Sequence, residues 1–115
     1  MEIKLLDKYY SPRLTVGAYE DICAETKMEF GDVLKEIDKF SNPEFTVQLL
    51  HLRILKSFIK YAIKWGEKYS GKQVDEKQID EDLNLLELQE IFGLFLKIIE
   101  RPEEQKKIAN QMKEG

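Results

Sequence analysis

The sequence predicts a mainly α domain, with four to five helices packed around one long central helix (about residues 43–65) and a short N-terminal β-hairpin. Three observations predict it. The stretch NPEFTVQLLHLRILKSFIKYAIKW, Asn42 to Trp65, repeats its apolar residues at helical spacing. A second strongly apolar run, LLELQEIFGLFLKIIE, does the same near the C-terminus. Residues 1–16 instead alternate apolar and polar side chains, as half-buried strands do.

In order along the chain, Ile3 and Leu5 alternate with Glu2 and Lys4, and Leu14 and Val16 with Arg13 and Thr15. Asp7-Lys8 is the predicted turn, and Pro12 suits an edge because it cannot donate to a ladder. A hairpin is marginal alone, so it is expected to lie on the helices. Residues 17–28 form a short amphipathic helix, with Ala18, Ile22 and Cys23 inward and Glu20, Asp21 and Glu25 outward. Phe30-Gly31 is expected to break it. Asp32 then caps a helix presenting Val33, Leu34, Ile37 and Phe40, ended by Ser41-Asn42-Pro43.

The central helix starts in this reading with Ser41 or Asn42 as cap and Pro43 in its first turn, and has Gly66 and Gly71 available as stops. Its apolar arc exceeds the roughly 100° of a surface helix, so it must be covered on several sides. Arg53, Lys56, Lys60 and Lys64 occupy the remaining sector. Beyond it, Asp75 caps a short turn holding Ile79, and Asn84 with Glu87 fits a capping box for the last helix. Gly93 costs that helix up to about 1 kcal/mol relative to Ala, which a close helix crossing would offset. One domain over residues 1–101 is expected, followed by a polar tail, 102–115. In that tail only Ile108 and Met112 stand at helical spacing, as in a frayed helix or a segment that orders on binding.

The chain has 115 residues, 43% hydrophobic and 35% charged, with a net charge of −4. That balance argues against a general nucleic-acid binder. No run reaches the ~18 apolar residues of a membrane span, and MEIKLLDKYY lacks the pattern of a signal peptide. The lone Cys23 has no internal disulfide partner, which favours a reducing, cytoplasmic setting.

Chemistry is sparsely represented. The single histidine, His51, reads as a satisfied or half-exposed helix residue rather than a general base or ligand, and Cys23 reads as a buried thiol. The acids Asp75, Glu76, Asp80, Glu81 and Asp82 lack the alternating ligands and glycine of a calcium loop. No catalytic residue, metal site or cofactor is assigned, and a non-enzymatic protein is expected. The basic face Arg53, Lys56, Lys60 and Lys64 reads first as solvated or internally paired, second as a protein-partner face, and last as a nucleic-acid contact. Residues 71–105 hold ten acids against four bases, so an acidic helix could lie along it. Leu50, Ile54, Phe58, Phe92, Phe95 and Ile99 are the candidate partner-binding apolar residues, divided between core and groove. Self-association, or a groove for an apolar helix, is expected to use any excess apolar face.

The order of these parts resembles a known family. A hairpin from the first Met, a strand ending RLTV, a GAYEDICAE helix and a helix opened by Phe-Gly-Asp come first. A long apolar helix, the acidic connector QVDEKQIDEDL, an apolar helix and a polar tail follow. The layout is similar to that of the tail assembly chaperones of long-tailed bacteriophages and prophages. The resemblance implies a mainly helical, non-enzymatic protein of the bacterial host cytoplasm. It would bind and solubilise the tape measure protein and recruit tail tube subunits. The family has no motif to align, so it transfers no site residue. Two other readings stand beside it, a small DNA-binding or transcription-modulating protein using the basic face, and a structural oligomeric adaptor.

Overall fold

A computed structural model of the chain describes residues 2–99. The expected tail, 102–115, and the last two residues of the expected domain lie outside the described residues. Two strands, β1 (Ile3–Leu5) and β2 (Lys8–Tyr10), pair antiparallel, with Ile3 opposite Tyr10 and Leu5 opposite Lys8. Ile3 and Leu5 are buried, so the hairpin does lie on the helices. Its turn is Leu6-Asp7, with Leu6 at φ 57°.

The second strand is therefore at 8–10 and not at 14–16. Residues 11–13 are held elsewhere, across the central helix. The Ser11 N–H donates to Glu67 Oε1 (2.8 Å) and the Arg13 N–H to the Ala62 carbonyl (2.9 Å). Thr15 is committed as a helix cap, its Oγ1 accepting from the Ala18 N–H (3.1 Å). Helix α1 (Val16–Thr26) follows and ends at Lys27, which is left-handed at φ 58°.

Phe30 begins α2 (Phe30–Asp38) instead of breaking a helix, and Glu29 rather than Asp32 holds the cap position. The interruption lies three residues before Phe30, at the left-handed Lys27, and Gly31 sits in the first turn of α2. A 3₁₀ turn, Lys39–Ser41, closes this segment.

The central helix α3 is Leu49–Tyr69, displaced toward the C-terminus from the expected 43–65. At its start, Asn42 Oδ1 accepts from the Glu44 N–H (2.9 Å), a local turn that competes with helix. Phe45 meanwhile packs edge-on against Phe40 and His51. The cap is instead reciprocal between Gln48 and His51. At its end, Gly66 lies within the helix because residues 11–13 pass over it. Gly71, at φ 80°, supplies the stop. The Gly71 N–H donates to the Lys68 carbonyl (3.0 Å) and the Lys72 N–H to that of Glu67 (2.9 Å), a Schellman ending.

Asp75 caps a nine-residue helix α4 (Glu76–Asn84), longer than the expected turn, by accepting from the N–H groups of Lys77 and Gln78. Asn84 is the last residue of α4, so it cannot cap the next helix. Helix α5 (Leu88–Ile99) opens after Glu87, whose N–H donates to Glu90 Oε1 (3.4 Å). Among the described residues, no atom beyond the helix's own backbone and the adjoining residues lies within 4 Å of a Cβ built at Gly93, so none of the described elements makes the expected close crossing there.

Every helix sends residues to one core around α3. Ile54, Leu55, Phe58, Ile59, Ala62 and Ile63 of α3 are buried against Ile22, Val33, Ile79, Leu83, Ile91 and Phe95. The arrangement is the mainly helical one expected, five helices and a two-stranded hairpin among the described residues. None of these helices is long and apolar enough to cross a membrane.

Candidate functional site

The six candidate apolar residues do not share one face. Ile54, Phe58 and Phe95 are core, with the Phe58 and Phe95 rings 5.5 Å apart edge-to-face. Phe92 is half-buried against Phe40 (5.7 Å), whereas Leu50 and Ile99 reach the surface.

The surface groove lies between α3, α4 and α5, where sequence reasoning had not placed it. Leu49 and Leu52 come from the first turn of α3, Leu83 from the end of α4, Leu86 from the connector, and Leu88 and Ile91 from the start of α5. They enclose about 350 Å³, with Arg53, Lys56 and Asn84 on the same lining. Leu49 is 64% exposed, Leu88 48% and neighbouring Leu85 74%. The signal was the leucine-rich junction LNLLEL, which had been read as a helix start. A hollow of about 500 Å³ continues past Leu88 to Phe92, edged by Glu87 and Gln89. A separate apolar hollow of about 480 Å³ lies on α1 and the start of α2, with Val16, Tyr19 and Phe30 between Glu20 and Glu29.

The basic face divides in two. Lys60 is buried, its Nζ 2.6 Å from Glu25 Oε1 and 3.2 Å from Asp80 Oδ2. Ser57 donates its hydroxyl to the other Glu25 oxygen. Lys64 Nζ lies 3.0 Å from Asp21 Oδ2 and 3.6 Å from Glu76 Oε2, and Trp65 Nε1 donates to the same Asp21 oxygen (2.8 Å). Asp21 and Glu25 thus face α3 and not outward, because α1 packs lengthwise on the helix that carries these lysines. Lys56 donates to the neutral Asn84 amide oxygen (2.8 Å). Arg53 is exposed and in no ion pair among the described residues.

Burial works to lower the Lys60 pKa, but the hydrogen bond and charge of Glu25 outweigh it and the net shift is upward. Burial likewise works to raise Glu25, and the Lys60 and Ser57 hydrogen bonds bring it below its ordinary value. Asp21 is lowered in the same way, against burial, by Trp65 and Lys64.

His51 is buried and fully engaged. Its Nδ1 accepts from the Gln48 N–H (3.0 Å), which places the proton of the neutral ring on Nε2, 2.7 Å from Glu36 Oε2. It anchors the start of α3 to α2. Cys23 is half-buried, and burial, then the nearby Glu29 charge, raises its thiol pKa. Among the described residues no group of three or more His, Cys, Asp or Glu is placed to hold a metal. No known family model, curated protein or solved structure matches this chain.

Proposed function

We propose that this chain is a non-enzymatic protein-interaction domain that takes an amphipathic helix of a protein partner into the α3–α4–α5 groove. The observation that carries the reading is the groove itself, a concave leucine surface whose lining leaves Leu49 and Leu88 largely in solvent. Each leucine left in water forgoes about 1.5–3 kcal/mol of burial, and helix-in-groove recognition recovers that energy with anchors at i, i+3, i+4 and i+7.

The family resemblance names the partner. Acting as a tail assembly chaperone in a bacterial host, the domain would cover apolar stretches of the tape measure helix, keep it soluble and recruit tail tube subunits. The hollow between Glu20 and Glu29 offers an apolar surface of opposite sign to the Arg53–Lys56 edge, which supports self-association along such a helix. A duplex-binding role is less well supported, since Lys60 and Lys64 are already paired with four carboxylates of the same chain, which more than offset their charge.

Co-expression with helical segments of a phage tape measure protein tests the proposal. The wild type is expected to carry the segment into the soluble fraction and co-purify with it. Leu49→Asp/Leu88→Asp, at two exposed positions, is expected to stay folded by circular dichroism and to lose the segment. Retention by that variant would remove the groove from the mechanism.

A further inference from the structure

The groove is electrically lopsided, and this selects its occupant. Arg53 and Lys56 form a wall shared between the leucine groove and an adjoining trough of about 570 Å³, in which Lys27 also stands. The two acids of that trough, Glu25 and Asp80, are committed to Lys60. Lys56 has only a neutral amide, and Arg53 and Lys27 are in no ion pair among the described residues. The charge left over on the α3 side is positive. On the α5 side, Glu87 edges the continuation of the groove past Leu88, and Glu90 stands in the first turn of the helix.

Resting on the groove reading above, we infer that the occupant is an amphipathic helix carrying Asp or Glu along the edge that meets Arg53 and Lys56. An apolar stripe alone would leave its rotation about its own axis and its direction free. An acidic edge against α3, away from Glu87, fixes both. Rim charges of this kind contribute selectivity and association rate more than total affinity.

The test uses two fluorescein-labelled synthetic helical peptides with the same leucine stripe at i, i+3, i+4 and i+7. One carries Glu along the flanking edge and the other Lys. Anisotropy titrations on the full chain at low salt are expected to show the Glu peptide bound about tenfold more tightly, the sum of two or three exposed pairs. The preference should shrink as salt shortens the screening length below about 10 Å. Arg53→Glu/Lys56→Glu is expected to reverse it. Should the double variant misfold, Arg53→Gln alone, at an exposed site, is expected to cut the preference about threefold.

Equal binding of both peptides, or preference for the Lys peptide, overturns the inference and leaves the groove reading standing. If neither peptide binds, or if Leu49→Asp/Leu88→Asp binds both as well as wild type, the groove reading fails too. Displacement of the Glu peptide by a short DNA duplex at the same salt would assign the Arg53–Lys56 wall to nucleic acid and overturn the inference.

Discussion

Gly66 shows how much can rest on a missing methylene. A Cβ built there falls 1.8 Å from the Ser11 carbonyl oxygen and 2.8 Å from the Arg13 nitrogen, both backbone atoms. Residues 11–13 are held in place by the Arg13–Ala62 and Ser11–Glu67 hydrogen bonds, so they cannot move aside cheaply. Gly66→Ala is therefore expected to destabilise the fold by about 2–3 kcal/mol, read as a lower urea midpoint. A gain in stability instead would mean that the crossing is loose. From sequence, Gly66 looked like a helix stop, because a glycine beside Trp65 has the same appearance whether it ends a helix or admits a neighbouring strand. His51 was easier to read. A lone histidine within a helix is expected to be satisfied or half-exposed, and here it is buried and satisfied by Gln48 and Glu36.

Among the elements, periodicity located the helices well and their ends poorly. Helix α3 keeps the stripe of Ile54, Phe58 and Tyr61 expected of it, yet starts at Leu49 because a turn at Asn42 and the packing of Phe45 outcompete Pro43. In α5, Gly93 was expected at a close helix crossing, and no described residue packs on it, so among the described residues only its helix propensity remains. Gly93→Ala is expected to stabilise the protein by up to about 1 kcal/mol, seen as a raised thermal midpoint. A loss of stability would reveal a contact on that face of α5.

Across the molecule, α1, α3 and α4 are tied by two ion-paired triads, Glu25–Lys60–Asp80 and Asp21–Lys64–Glu76. Glu25 has a folded pKa below its ordinary 4.5. Its contribution is fully present above that value and is lost as pH falls through the folded one. Lys60 is shifted upward, so its contribution is fully present below 10.5. Stability against urea should accordingly be independent of pH near neutrality, where these ion pairs contribute in full, and fall on acidification below about 4.5. Lys60→Met keeps the buried stem and removes the charge. It is expected to cost about 1 kcal/mol at pH 7, less than the roughly 3–5 kcal/mol of breaking a fully buried pair, because Glu25 and Asp80 reach solvent. The gap from wild type should narrow at pH 3. An equal gap at both pH values would mean that Lys60 acts through packing alone.

Read alone, the sequence determined the helical class, an N-terminal hairpin beginning with the Ile3–Leu5 strand, and the central position of the long helix expected over 43–65. Those follow from composition and from spacings of a few residues, which local geometry converts directly into faces. It could not determine that Lys60 meets Glu25, 35 residues away, or that residues 11–13 cross Gly66. Nor could it assemble Leu49, Leu83 and Leu88 into one groove. Each of these depends on how α1, α4 and α5 rotate and slide against α3. A leucine looks the same in sequence whether its neighbours close over it or leave it open to a partner.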